Sequence, residues 1–174
     1  MTIRPMLALA LAASACTSTQ ASTAMDGTPP AASSPAADAA VPLRRLSEEA
    51  YTSIRYNSGL AERGEQVVRD AGAWSSLWSR MTARNRPAPL PPVDFGRDMV
   101  LVAAMGRQPS GGHRVTIERV DDTGTELVAH VSHQRPGPRC GTTSALTEPA
   151  DAVLIPRSTR NVRWMVRETT LDCP

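Results

Sequence analysis

A chain of 174 residues has room for one ordinary domain, and its 19 basic side chains, all arginine, nearly balance its 17 acids. The arginines are scattered among the acids without a basic stripe or interleaved aromatics, which argues against nucleic-acid binding, so the all-arginine set reads as coding bias.

The N-terminus reads as an export signal. Arg4 supplies a positive flank, residues 6–13 form a short apolar core, and small residues precede Cys16. The core is shorter than the roughly 20 residues of a spanning helix and fits a signal peptide. The stretch AASAC (12–16) resembles the lipobox of bacterial lipoproteins, with Ala13 in place of the usual Leu. The resemblance implies that residues 1–16 are a signal ending at Cys16, which would carry lipid; ordinary cleavage is the alternative. Thr17 is not Asp, so nothing points to retention at an inner membrane. The expected location is the cell envelope, as an outer-membrane lipoprotein whose domain lies in the periplasm or at the surface. Residues 17–41 are Ala, Ser, Thr, Pro and Gly with two acids and no apolar period, and are expected to be a disordered tether. The folded domain is placed at residues 42–174.

Within it, YTSIRYNS (51–58) alternates through Thr52, Ile54 and Tyr56 and reads as a strand, and EQVVR (65–69) as a short returning one. Trp74, Leu77, Trp78 and Met81 then fall at i, i+3, i+4 and i+7, the spacing of one helix face. Asp70 is its expected N-cap, Arg80 and Arg84 suit its negative end, and RPAPLPP (86–92) stops it. The two tryptophans at that spacing read as a ridge docking on a sheet rather than a stacking site. MVLVAAM (99–105) is apolar without alternation, as in a strand buried on both faces. HRVTIERV (113–120) and ELVAHVSH (126–133) alternate about the turn DDTG (121–124), and DAVLIP (151–156) and VRWMVRE (162–168) complete the set. The expectation is an α+β domain, a mostly antiparallel twisted sheet of six or seven strands with one amphipathic helix packed on it.

GRQPSGG (106–112) has the glycine spacing of a phosphate loop, but Gly112 and His113 stand where Lys and Ser/Thr are needed, and a strand pattern follows instead of a helix. Pro109 also removes an N–H donor. The stretch reads as a corner between strands, so no nucleotide is expected. If Cys16 is lipidated, Cys140 and Cys173 remain as an even pair in an oxidising compartment, where a disulfide is expected and free thiols are the alternative.

WSSLW (74–78), VDFGRDMVLVAAMG (93–106), PSGGHRVTI (109–117) and ADAVLIP (150–156), in that order, resemble the PrcB C-terminal domain family over about residues 74–166. Ser110 and His113 depart from the family's Thr and Tyr, so the loop match is partial. The resemblance implies an exported binding or assembly subunit, often lipoprotein-anchored and associated with a protease complex; it brings no catalytic residues. A second resemblance, through the same Pro-Ser-Gly-Gly-His loop, is to chagasin-type cysteine-protease inhibitors, without counterparts of that family's other loops.

There is no Gly-x-Ser-x-Gly elbow and no His-Glu-x-x-His. His130 and His133 are spaced to chelate from a helix, but on a strand they point to opposite faces. Asp121 and Asp122 lack the further oxygen ligands that calcium needs. These patterns lead to the expectation of a non-enzymatic binding module with no cofactor, metal or nucleic acid, and the family resemblance implies an envelope protein, a protease among the candidates, as partner. The expected partner surface is Ser110, Gly111, Gly112 and His113 together with Arg135 and Arg139, which flank a Pro/Gly loop. The alternative is an exported peptidase inhibitor using the same loop.

Overall fold

The computed structural model describes residues 39–84 and 88–174. The expected signal at 1–16, with Cys16, and the expected tether up to residue 38 lie outside them. The elements in chain order are β1 (Ala39–Ala40), β2 (Arg44–Arg45), α1 (Glu48–Ile54), β3 (Arg63–Val68), α2 (Ala71–Thr82), β4 (Asp98–Met105), β5 (Arg114–Asp122), β6 (Leu127–Pro136), β7 (Ala150–Pro156) and β8 (Val162–Leu171). The class is α+β and mostly sheet. Three features differ from expectation: there are eight strands instead of six or seven, they form two four-stranded sheets instead of one, and there are two helices instead of one.

One sheet runs β1-β5-β6-β8 and the other β2-β7-β4-β3, with every pairing antiparallel except β6 with β8. Facing side chains of the two sheets make one core. It contains Met99, Leu101 and Ala103 of β4, Val153 and Ile155 of β7, and Val115, Ile117, Ala129 and Val131 from the opposite sheet. The other face of the β2-β7-β4-β3 sheet carries Val100, Val102, Ala152 and Leu154, covered by Ile54 of α1 and Trp74, Leu77, Trp78 and Met81 of α2. This explains why MVLVAAM shows no alternation: odd residues fill the sandwich and even residues meet the helices, so both faces are apolar.

α2 begins as expected, with the Asp70 carboxylate accepting from the Ala73 N–H at 2.8 Å. Its tryptophans pack at 5.4 Å between ring centroids, and their indole N–H groups donate to the Pro91 and Ala88 carbonyls. They are core ridges.

The first half of the segment read as a strand at 51–58 is the end of helix α1. Ser47 caps it through the Ala50 N–H, Glu48 and Glu49 suit its positive end, and Ala50 and Ile54, one turn apart, are both buried. The two-residue alternation at Thr52, Ile54 and Tyr56 was shorter evidence than this four-residue period beginning upstream.

β1 and β2 are two residues each, yet they join different sheets. Ala39 and Ala40 pair with Asp122 and Asp121, whereas Arg44 and Arg45 pair with Leu154 and Val153. β1 thus falls within the segment read as tether.

Candidate functional site

β4 leaves the core at Gly106, whose φ of +72° turns the chain sharply; a Cβ there would lie 2.8 Å from the Arg63 nitrogen. The loop that follows is fastened to a second loop, residues 137–149. Gln108 exchanges backbone bonds with Thr147, the Thr147 hydroxyl donates to the Ser110 carbonyl at 2.8 Å, and the Gly111 N–H donates to the Thr143 carbonyl at 3.0 Å. Gly111 has no room for a side chain, since a Cβ would lie 2.5 Å from Thr143 Oγ1. Gly112, with φ of +86°, lies against Pro136 and Thr142. GRQPSGG is therefore a corner between β4 and β5, held down along its length.

The second loop is anchored in turn. Cys140 and Cys173 form a disulfide with Cα atoms 5.1 Å apart, and the Gly137 N–H donates to the Leu171 carbonyl. The bridge fastens the loop to the end of β8. A third segment joins through Glu148, whose backbone bonds Tyr56 and Ser58.

These segments enclose a cavity of about 470 Å³ at one end of the sandwich, lined by Gly111, Gly112, His113, Arg114, Leu146 and Leu171 among others. Beside it, a second cavity of about 450 Å³ is lined by Asn57, Arg84, Arg107, Leu146 and Glu148. Glu148 is buried and takes both Arg84 (3.0 Å) and Arg107 (2.9 Å) on its Oε1. Arg84, read as a helix-end cation, instead serves this cluster. The sequence reading passed over Arg107, Arg114, Leu146 and Glu148; Glu148 beside a proline and far from any arginine in sequence gave no local signal.

Of the residues expected to meet a partner, Gly111, Gly112 and His113 line the cavity, and Ser110 sits just behind through Thr147. Arg135 lies near enough to His113 to push its imidazole pKa down, adding to the larger effect of burial. Arg139 is turned to Asp172 at 2.7 Å, with both side chains well exposed. Three of the six thus line the cavity, Ser110 lies behind them, and Arg135 and Arg139 are not part of its lining.

His130 and His133 point to opposite faces of their sheet. His130 meets Asp121 at 2.9 Å on the solvent side, while His133 is fully buried between the sheets and neither ring nitrogen has a hydrogen-bond partner among the described residues. Asp121 is shared with Arg119, and Asp122 accepts from Arg160 and the Gly124 N–H. Among the described residues no group of three or more His, Cys, Asp and Glu is placed to hold a metal.

No curated protein and no solved structure matches the chain. The family model described as PrcB C-terminal matches residues 99–156, a span from β4 through β7 that contains both loops of the cavity. Over that span, narrower than the 74–166 read from the sequence, the chain is similar to the PrcB C-terminal family.

Proposed function

We propose that the protein is a non-enzymatic binding or assembly subunit of the bacterial cell envelope, tethered to a membrane through Cys16 and acting on a protein partner. The observation that carries this reading is the loop-built cavity at one end of the sandwich. Loops positioned by a rigid scaffold are where recognition surfaces are made. Here both loops fall inside the family-matched span and one is fixed by a disulfide. The family's association with a protease complex makes an envelope protease the first partner to seek.

The test is affinity capture by the full-length protein from envelope extract. Recovery of a protease or its companion subunit, still active in the complex, supports the reading. Recovery of no envelope protein, or release of small-molecule product by the metal-free protein, argues against it. Replacing Cys16 with Ser is expected to shift the protein to the soluble fraction.

The rival reading, a peptidase inhibitor, is favoured by the two-sheet sandwich, an architecture that chagasin-type inhibitors share. The hold of Thr143 and Pro136 on Gly111 and Gly112 weighs against it, because an inhibitory loop must reach into a cleft. Sub-micromolar slowing of a panel of cysteine and serine proteases would decide for the rival.

A further inference from the structure

Five large apolar side chains are exposed among the described residues, and three of them, Tyr56, Leu146 and Leu171, line the same cavity. Leu146 is 66 % exposed and also lines the neighbouring cavity, so the two hollows meet at an apolar sill. Exposed apolar surface gathered in one concave place marks a binding site.

The charge around it is positive in balance. Across both linings the charged side chains are Arg84, Arg107, Arg114 and Glu148. Glu148 is buried beneath Arg84 and Arg107 and can neutralise only one of them. Arg114 has no ion-pair partner among the described residues. Arg55 adds a further cation at the margin, its guanidinium 4.6 Å from the Tyr56 ring centroid.

We infer that this groove holds an extended acidic peptide segment of the partner protein. One aliphatic or aromatic side chain sits against Leu146, Tyr56 and Leu171, and carboxylates face Arg114 on one side and the Arg84–Arg107 pair on the other. Gln134 and Thr143 in the lining offer amide and hydroxyl groups to the peptide backbone. Bidentate pairing of arginine with carboxylates supplies selectivity for Asp and Glu. A hollow of about 470 Å³ also falls within the roughly 300–1,000 Å³ usual for ligand pockets. A bilayer surface would need a projecting face rather than a recess.

The inference rests on the binding-subunit reading and names the chemistry of its partner. Its test is selection of a random eight-residue displayed peptide library on the full-length protein. Enrichment of sequences that combine several Asp or Glu with one large apolar residue is expected. Binding of the selected peptide should fall about tenfold or more in Arg114→Glu and in Leu146→Ser. It should be unchanged in Arg163→Glu, which lies on a different face. Selection of no peptides, selection of basic ones, or equal binding by Arg114→Glu overturns the inference. Sedimentation with phosphatidylglycerol vesicles that depends on Arg114, without selection of acidic peptides, assigns the groove to lipid and also overturns it. If envelope capture succeeds equally with Arg114→Glu, the binding-subunit reading stands while this placement of the partner fails.

Discussion

Gly106 and Gly124 both adopt positive φ, at +72° and +88°, but they differ in what surrounds them. A Cβ on Gly124 meets open space, so Gly124→Ala pays only for the left-handed backbone, about 1–2 kcal/mol. On Gly106 the same atom meets the backbone of Arg63, Ala61 and Glu62, none of which can swing aside. Gly106→Ala is therefore expected to cost roughly 3–4 kcal/mol, the backbone strain plus the displacement of a packed neighbour. Urea unfolding of the two variants measures the difference; equal costs would mean that β3 is not held against this corner. His133 carries a second residue-scale prediction. Burial, reinforced by Arg63 of β3 and opposed by Glu168 of β8, pulls its imidazole pKa below the ordinary value. The folded protein keeps it neutral, whereas the unfolded chain takes up a proton near pH 6.5. The stability it allows is thus complete above about pH 6.5 and is lost as pH falls from there toward the folded-state pKa. Thermal melts between pH 7.5 and 5 should show a steeper decline for the natural protein than for His133→Leu, and parallel curves would refute the assignment. His113, shifted in the same direction, contributes with the same sign.

At the scale of elements, what was legible depended on how far each signal reached along the chain. The face of α2 and the doubly apolar run of β4 span whole elements and were read correctly, because burial on a helix face or on both sides of a strand leaves a pattern several residues long. α1 is barely two turns, and its period rests on Ala50 and Ile54, while its cap at Ser47 lies before the stretch that looked alternating. β1 and β2, at two residues each, leave no pattern at all. Their register comes from partners more than 80 and 100 residues away. The Cys140–Cys173 bridge was legible from cysteine count and the expected compartment, and its structural consequence is to fasten the 137–149 loop to the end of β8. Its sequence separation is 33, for which the chain-entropy model gives roughly 3–4 kcal/mol. Cys173→Ser, and the natural protein under reductant, should unfold at matching, lower urea concentrations. A variant as stable as the oxidised protein would show that the bridge adds nothing to the hold already supplied by the Gly137–Leu171 backbone bond.

Across the whole molecule, the two sheets are joined by a polar tie inside a mostly apolar sandwich. Register shifts between Ile117 and Arg119 at a bulge in β5. The Ile117 N–H donates to Asp151 Oδ2 of the opposite sheet at 2.8 Å, and Arg45 donates to both Asp151 and the Ile117 carbonyl. Asp151 is fully buried, and its Oδ1 has no hydrogen-bond partner among the described residues. Nothing local in ADAVLIP marks this aspartate as interior; only the opposed bulge gives it a donor, and that bulge is a tertiary event. Removing one member of such a tie leaves a buried charge or an unpaired N–H, which costs more than the intact tie contributes. Arg45→Met is expected to destabilise by about 2–3 kcal/mol, reduced from the fully buried case because the arginine is 43 % exposed. Asp151→Val strands the Ile117 N–H and is expected to cost a comparable amount. The double variant should cost less than the sum of the two by at least about 1 kcal/mol, since the buried Asp151 charge that Arg45→Met leaves unpaired is then absent, while the Ile117 N–H stays stranded. Arg163→Met, which removes an exposed pair with Glu126, should cost under about 1 kcal/mol and serves as the reference. Strict additivity in this cycle would mean that the sheets are held by apolar packing alone and that Asp151 is merely tolerated between them.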